Sequence, residues 1–246
     1  MAMSRLVAHR GQKSSFPENT LESIQQAIAC GATAVEFDVQ MTVDHVPVVC
    51  HDMSLLKTAG VDINIAEMNY ADLKEVSVGE PSRFTDKYQS VTLPSLQNMV
   101  AVLKATPHVR VFVELKDESI AVFGIARFLK QVITQLEPIQ DQCVVIADDL
   151  QALITLKKQA SIPIGWIIHR WADTDLKKAK QCDVDYLIIN YKYCNEQVHD
   201  FTADNWDWVM YETCDPDKAA ALFKQGIRFV ETDDICSMLK QLPEYK

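Results

Sequence analysis

The sequence predicts an α/β fold, a TIM (β/α)₈ barrel with a small insertion after the second strand. Short β-branched runs alternate with longer segments whose apolar residues recur about every 3.6 residues. This alternation repeats through all 246 residues without a linker. Runs such as Val144–Ala147 and Leu187–Ile189 are almost continuously apolar, which is typical of parallel strands buried on both faces.

Eight strands are predicted from β-branched and aromatic runs. They are Leu6–His9, Ala34–Val39, Val109–Leu115, Cys143–Ala147, Ile162–Ile168, Tyr186–Asn190, Trp208–Tyr211 and Arg228–Glu231. The helices follow from apolar residues at helical spacing, and are predicted over 20–30, 95–105, 118–136, 149–160, 173–181, 195–204, 215–225 and 234–242. Strand and helix therefore alternate eight times, as a closed barrel requires.

The segment between the second strand and the helix near residue 95 is too long for an ordinary loop. It begins with a further strand-like run, Val46–His51, and continues with a helical turn near Ala71–Val76. We therefore expect one barrel domain over residues 1–246, with an inserted subdomain at about 53–93 over the barrel mouth.

Charge excludes some partners. With 24 Lys and Arg against 34 Asp and Glu, the net charge is −10 and the basic residues are scattered. We therefore expect no binding of nucleic acid and no contact with anionic membranes. No apolar run approaches the length of a membrane helix, and no signal peptide is evident.

Cysteine usage bears on the cellular compartment. The seven cysteines are odd in number, widely spread and free of Cys-x-x-Cys pairs. They predict reduced thiols in a cytoplasmic protein rather than a disulfide framework or a zinc site.

Three carboxylates stand at the carboxyl ends of neighbouring strands, where barrel enzymes place their active sites. Glu36 and Asp38 lie two apart on the second strand, so both side chains point the same way. Glu114 follows on the third long strand, two residues before Lys116. Crowded carboxylates repel unless a hard cation lies between them, so these three residues predict a site for Mg²⁺ or Ca²⁺, with Mn²⁺ as a further option.

Two histidines and two cations complete this constellation. His9 follows the first strand and His51 ends the strand that begins at Pro47. Two histidines can divide the general acid and general base tasks of phosphodiester cleavage near neutral pH. Arg10 and Lys116 supply positive charge for phosphoryl oxygens.

These residues, in this order, resemble the glycerophosphodiester phosphodiesterase family. The motifs are His9-Arg-Gly11, Pro17-Glu-Asn-Thr20, Glu36-x-Asp38, Thr42-x-Asp44, Pro47-Val-Val-x-His51-Asp52, Leu93-Pro-Ser-Leu96 and Glu114-Leu-Lys116. Asp215-Pro216, Gly226 and Thr232-Asp233 resemble the family's closing segment.

The resemblance implies a metal-dependent hydrolase that releases sn-glycerol 3-phosphate and an alcohol from small-molecule glycerophosphodiesters, and so a role in glycerol and lipid metabolism. It implies Glu36, Asp38 and Glu114 as metal ligands, His9 and His51 as the acid/base pair, and Arg10 and Lys116 as phosphate contacts. The family's nucleophile is usually drawn as the substrate's own 2-hydroxyl, and the spacing of these residues does not distinguish this from attack by water.

Two alternatives remain open. A lysophospholipase D-type reaction on the same site would need an apolar wall, which Leu55, Leu56, Val61, Ile63 and Ile65 of the insertion could supply. A barrel that binds phosphate esters without catalysis is the alternative from another class.

The sequence departs from the family at one wall of the predicted site. Tyr211-Glu212-Thr213-Cys214 stands where the family commonly has Trp-Thr-Val-Asn, and this difference bears on the choice of leaving alcohol. At the rim, His169, Trp171, Asn190 and Tyr211 are candidates for substrate contact.

Two residues near the motifs have simpler interpretations. Asn19 with Glu22 has the spacing of a helix capping box, which favours a local role for Asn19. Asp52 is interpreted equally as the partner that orients His51 or as the start of the insertion.

Overall fold

The strands of the computed structural model close into a barrel, which confirms the predicted fold class. The structure describes residues 4–194 and 200–245. Eight parallel strands form the ring, and pairing of the first two closes it. The strands are β1 (Leu6–Ala8), β2 (Ala34–Met41), β3 (Pro47–Val49), β4 (Arg110–Leu115), β5 (Cys143–Ala147), β6 (Ile164–Ile168), β7 (Tyr186–Asn190), β8 (Asp207–Tyr211) and β9 (Phe229–Thr232). β3 lies outside the ring and pairs antiparallel with β2.

Helices surround the ring. They are α1 (Leu21–Ala29), α2 (Leu56–Ala59), α3 (Tyr70–Leu73), α4 (Pro81–Phe84), α5 (Leu96–Leu103), α6 (Asp117–Phe123), α7 (Ile125–Leu136), α8 (Leu150–Lys157), α9 (Asp173–Cys182), α10 (Pro216–Lys224) and α11 (Ile235–Gln241). The single helix predicted over 118–136 is two helices, because Gly124 between them has a φ of 79° that ends the first.

One predicted helix, over 195–204, is not supported. Residues 195–199 lie outside the described residues, and residues 201–204 form turns and bends. β7 and β8 pair in parallel, and the described part of their connection holds a short 3-10 helix, Tyr191–Tyr193.

The barrel interior changes from apolar to polar along its axis. Val7, Ala34, Phe112, Val144, Tyr186, Ile188, Val209 and Phe229 belong to one buried cluster inside the ring. Side chains alternate along a strand, so a residue two or four positions after a member of this cluster also faces the barrel interior, but nearer the carboxyl end of its strand. These positions hold His9, Glu36, Asp38, Glu114 and Glu231. The sheet therefore gathers ionisable groups at one mouth of the barrel.

The inserted segment builds a small core of its own. Val48 and Cys50 of the β3 region pack with Leu55, Ile65 and Leu73 in a cluster separate from the main core. Helices α2, α3 and α4 lie within this segment. We propose that it is a subdomain of the single barrel domain, because β3 belongs both to its core and to the barrel sheet.

The expectation of reduced thiols is wrong for one pair of cysteines. Cys30, at the C-terminus of α1, forms a disulfide with Cys236 in α11, and their Cα atoms are 5.3 Å apart. Barrel closure brings these helices together across a sequence separation of 206 residues, which no local pattern reveals. The cytoplasmic location stays a prediction, and cysteine usage no longer supports it.

Breaking the Cys30–Cys236 bond should lower the free energy of unfolding by about 2–4 kcal/mol, because the crosslink restricts the unfolded chain. Urea denaturation of the oxidised protein, the reduced protein and a Cys30→Ser/Cys236→Ser double variant measures this. Cys182→Ser, at a cysteine outside the disulfide, is the matched control. Identical urea midpoints with and without reductant would contradict the prediction.

Candidate active site

A pocket of about 240 Å³ lies at the carboxyl ends of the barrel strands. Its lining combines carboxylates, cations and histidines above an apolar floor. The lining residues are His9, Arg10, His51, Glu114, Lys116, Ile146, Asp148, Ile167, His169, Ile188, Asn190, Tyr211, Glu212 and Glu231. The structure thus brings together predicted site residues that are spread over the whole chain.

The three predicted metal ligands form one cluster. Glu36, Asp38 and Glu114 each offer an oxygen within 4.8 Å of the others. Asp38 and Glu114 are register partners on β2 and β4. Glu36 Oε1 and Asp38 Oδ1 are buried and accept no hydrogen bond from any described residue. Because unpaired buried carboxylate oxygens are costly, this cluster fits a hard divalent cation.

The charges of this cluster interact strongly. Burial, and then the neighbouring Asp38, raise the pKa of Glu36. The same two causes raise the pKa of Glu114 to about 7. Burial would also raise the pKa of Asp38, but Arg10 and Lys116 outweigh it and lower that pKa. Asp38 is therefore the carboxylate that stays ionised, while the other two need further positive charge.

Asn19 holds Asp38 and is not the cap of α1, so the capping interpretation is wrong. Asn19 Nδ2 donates to Asp38 Oδ2 at 2.7 Å, and the Asp38 backbone N–H donates to Asn19 Oδ1 at 3.2 Å. Thr20 caps the helix instead, in a reciprocal pair with Ser23. Asn19 has a φ of 59°, a left-handed conformation that asparagine tolerates.

Each predicted catalytic histidine has a carboxylate on Nδ1. His9 Nδ1 lies 2.8 Å from Asp233 Oδ1 and 2.8 Å from Glu212 Oε2. His51 Nδ1 lies 2.6 Å from Asp52 Oδ1, so Asp52 contacts His51 as the first of its two interpretations expects. A carboxylate on Nδ1 orients the ring and leaves Nε2 for proton exchange.

The pKa values of His9 and His51 are shifted in opposite directions. Burial by itself lowers the pKa of His9, but hydrogen bonds with Asp233 and Glu212 outweigh it and raise the pKa to about 10. Burial, together with Arg10 and Lys116, lowers the pKa of His51. Near neutral pH, one ring therefore favours the protonated form and the other the neutral form.

The predicted phosphate-binding cations line the pocket and also pair with its carboxylates. Arg10 Nε lies 3.1 Å from Asp38 Oδ2 and Arg10 Nη1 lies 3.0 Å from Glu18 Oε1. Lys116 Nζ lies 2.6 Å from Glu114 Oε1 and 3.6 Å from Asp38 Oδ1. These contacts fix both cations beside the carboxylate cluster.

Glu18, which our sequence analysis gives no role, links the site to the insertion. It is 2% exposed, and both its carboxylate oxygens lie 2.8 Å from Lys57 Nζ. Its backbone N–H donates to Glu80 Oε1 at 2.6 Å. Since Glu18 also pairs with Arg10, one buried carboxylate joins the insertion to a cation of the pocket.

Of the four residues predicted to contact substrate at the rim, three line the pocket and one does not. His169, Asn190 and Tyr211 line the pocket. Trp171 does not, which corrects its predicted placement: its ring stacks on Trp208 with centroids 5.3 Å apart and planes 13° apart. β6 ends at Ile168. His169 is the next residue and keeps the inward direction, whereas Trp171 lies three residues beyond the strand, where alternation no longer sets the direction of a side chain.

Sequence reasoning missed three carboxylates of the pocket, namely Asp148, Glu212 and Glu231. Asp148 lies two positions after Ile146, and Glu231 two positions after Phe229, so interior alternation from those apolar residues could have identified both. Glu212 lies beyond the end of β8, where alternation gives no signal.

Glu18→Gln should lower the free energy of unfolding at pH 7 by about 1–3 kcal/mol, because two charged partners lose a buried carboxylate. Arg10 and Lys57 lower the pKa of Glu18 against the effect of burial. A lowered folded-state pKa gives stability that is present above the unfolded pKa and lost as pH falls. The difference between wild type and variant should therefore shrink between about pH 5 and pH 3.

Urea denaturation at several pH values measures this difference. Glu22→Gln, an exposed position on α1, is the matched control and should change stability little at any pH. If the difference in free energy of unfolding between wild type and Glu18→Gln stayed constant down to pH 3, the destabilisation would come from altered packing and not from the lost charge.

No helix among residues 4–194 and 200–245 combines the length and apolar character needed to cross a membrane.

Comparison with known proteins identifies the family. The model of the glycerophosphoryl diester phosphodiesterase family matches residues 9–237. The glycerophosphodiester phosphodiesterase of Bacillus altitudinis is 31% identical over 144 residues, covering 58% of this chain and 57% of that protein. Glycerophosphodiester phosphodiesterase 1 of Bos taurus is 23% identical over 164 residues, covering 67% of this chain and 48% of that protein. The aligned region thus spans about half the length of these relatives.

A phosphodiesterase from Oleispira antarctica, solved in complex with the product sn-glycerol-3-phosphate, shares the fold. Its TM-score is 0.88 at 24% identity, over 98% of this chain and 97% of that chain. The family match covers both histidines, the three clustered carboxylates and the two pocket cations. The chain therefore belongs to the glycerophosphoryl diester phosphodiesterase family.

Proposed function

We propose that this protein hydrolyses glycerophosphodiesters to sn-glycerol 3-phosphate and an alcohol, using a divalent cation and two histidines. The observation that carries the proposal is one pocket in which three crowded carboxylates, two cations and two carboxylate-bound histidines converge. Family membership supports the reaction class. The product bound to the Oleispira antarctica phosphodiesterase supports a small-molecule substrate.

Glu36, Asp38 and Glu114 would hold the cation, since their oxygens are close together and two of these oxygens accept no hydrogen bond from any described residue. Carboxylate oxygens suit Mg²⁺ or Ca²⁺, and Mn²⁺ is a further option. When bound, the ion supplies positive charge that polarises phosphoryl oxygens. Asn19 keeps Asp38 in place from outside the cluster.

Arg10 and Lys116 bind the phosphoryl oxygens of the substrate. Arg10 offers a planar fork of N–H donors, whereas Lys116 offers a compact charge. Both side chains line the pocket, where Asp38 pairs with Arg10 and Glu114 pairs with Lys116. The phosphoryl oxygens of a bound phosphodiester can therefore accept hydrogen bonds from Arg10 and Lys116 on the side of the carboxylate cluster.

His51 is the general base and His9 the general acid. The lowered pKa of His51 keeps its ring neutral, so that Nε2 can accept the proton of the nucleophile. The raised pKa of His9 keeps that ring protonated, so that Nε2 can donate to the leaving alkoxide. The nucleophile is the substrate's 2-hydroxyl or water, and detection of a cyclic glycerophosphate would distinguish these two.

The contacts of the insertion favour a small diester over a lysophospholipid. Two of the residues considered for an apolar channel, Leu55 and Ile65, are fully buried in the core of the insertion. The exposed apolar residues there are Leu56 and Val61. Neither lines the pocket. Detergent-dispersed lysophospholipid compared with glycerophosphocholine tests this choice.

Loss of a clustered carboxylate should abolish metal-dependent turnover. With EDTA, release of sn-glycerol 3-phosphate from glycerophosphocholine and glycerophosphoethanolamine should stop, and added Mg²⁺, Ca²⁺ or Mn²⁺ should restore it. Glu36→Ala and Glu114→Ala should lower the restored rate by at least about 100-fold while the far-UV circular dichroism stays that of the barrel. Glu75→Ala, at an exposed position, is the control. Full activity in both variants would contradict the metal site, and no release with any metal would contradict the proposed reaction.

The two histidines should act as one proton-transfer unit. His9→Ala and His51→Ala should each lower kcat by about 10²–10⁴-fold, and the double variant should be little worse than either single variant. His108→Ala, on the exposed surface, should retain activity.

The pH profile of kcat/KM tests the assignment of acid and base. A base works above its pKa, so the rate should rise through the lowered pKa of His51. An acid works below its pKa, so the rate should fall only towards pH 10, the raised value for His9. A profile centred on a single pKa near that of free histidine would reverse this interpretation.

A further inference from the structure

One wall of the pocket is not used by the proposed mechanism. It consists of Tyr211 and Glu231, which lie beside an apolar floor of Ile146, Ile167 and Ile188. Register pairs Val209 with Phe229 and Met210 with Val230, so Tyr211 and Glu231 are the next positions on two adjacent strands. Side-chain alternation turns both towards the barrel interior. An aromatic ring and a carboxylate therefore stand side by side in the pocket.

One oxygen of the buried Glu231 carboxylate accepts no hydrogen bond from any described residue. That oxygen is Oε1, and the residue is 4% exposed. Phe229 and Val7, its apolar neighbours inside the barrel, offer it nothing polar. A buried, unpaired carboxylate costs several kcal/mol, which points to a ligand that supplies the missing positive charge.

The cations of the pocket are already engaged. His9 is held by Asp233 and Glu212, and Arg10 is held by Asp38 and Glu18. Burial raises the pKa of Glu231 to about 7, against the opposing effect of His9. No described residue therefore forms an ion pair with Glu231, and a cation that entered the pocket would meet its carboxylate directly.

Tyr211 supplies the second element of cation recognition. Its ring lines the pocket and packs against the interior apolar cluster. Burial, and then Glu231, raise the pKa of its phenol, so the ring stays uncharged with its π face intact. Alkylammonium groups bind where an aromatic face and a carboxylate occur together. The three isoleucines of the floor suit the alkyl portion of such a group.

We propose that Tyr211 and Glu231 form a subsite for a positively charged leaving alcohol, one that carries a primary or quaternary ammonium group. The inference rests on the proposed function, since it names the alcohol that this reaction would release. It makes Glu231 and Tyr211 specificity-determining residues. Diesters of neutral alcohols would leave the Glu231 carboxylate unpaired, so they would be poorer substrates.

Paired substrates test this inference. Glycerophosphocholine is compared with its carbon isostere, in which a tert-butyl group replaces the trimethylammonium group, so that the two differ in charge and not in shape. Wild type should show a kcat/KM at least about 10-fold higher for the charged diester. Glu231→Gln should reduce this ratio about 10-fold, and Tyr211→Leu should also reduce it.

Controls separate charge from folding. Glu137→Gln, on the exposed surface, should keep the wild-type ratio. Tyr211→Phe retains the ring and should keep more of the ratio than Tyr211→Leu. A ratio near one in wild type, or an unchanged ratio in Glu231→Gln, would overturn the inference. Glycerophosphoethanolamine with the same variants shows whether the primary ammonium uses the subsite as well as the quaternary one.

A binding measurement keeps this inference distinct from the proposed reaction. Calorimetric titration with choline, and with its uncharged carbon isostere, needs no turnover. Choline should bind wild type more tightly than the isostere, and Glu231→Gln should remove the difference. If no diester is hydrolysed but this difference is present, the reaction fails and the subsite stands. If diesters are hydrolysed but choline and its isostere bind alike, the reaction stands and the subsite fails.

Discussion

The mutual repulsion of buried carboxylates at the barrel mouth is the constraint on which the rest of the site depends. Glu36, Asp38 and Glu114 converge because three interior positions on two adjacent strands carry acids. Such a cluster is unfavourable in a closed apolar barrel unless positive charge surrounds it. Arg10 and Lys116 supply part of that charge. The remainder is what a divalent cation bound as proposed would supply.

The insertion after β2 serves this arrangement as well as extending the fold. β3 pairs with β2, and this pairing places His51, which follows β3, beside the carboxylates of β2. Further along, Lys57 reaches back to Glu18, which in turn holds Arg10. The proposed general base and the support of one proposed phosphate-binding cation thus come from the same segment. The insertion packs around a buried cluster of its own, so His51 and Lys57 are supported by a core that is separate from that of the barrel.

Local periodicity predicts the fold and the carboxylate cluster, because both depend on alternation within single strands. The prediction fails where a contact joins distant parts of the chain. Cys30 and Cys236 meet only after the barrel has closed. Trp171 turns outward because β6 ends three residues before it.

Asn19 shows the same limit on a smaller scale. Its spacing to Glu22 suits a capping box, but the cap is one residue later, at Thr20. That shift frees the Asn19 amide, which binds Asp38 on a neighbouring strand. The sequence pattern alone does not distinguish these registers, because both place a capping side chain before the same helix.

The pocket divides into two regions of opposite charge. On the side of β2 and β4, Arg10 and Lys116 with a bound cation would attract the phosphoryl group. On the side of β8 and β9, Glu231 has one oxygen that accepts no hydrogen bond from any described residue, and it lies beside the ring of Tyr211. A diester with an ammonium alcohol carries both charges, so this field would bind it in one orientation, with the phosphorus between the histidines. The departure from the family's usual motif at Tyr211–Cys214 bears on both parts of the site. Tyr211 lies on the second side, beside Glu231, whereas Glu212 contacts His9 Nδ1, so the segment would influence both the leaving alcohol and the proposed general acid.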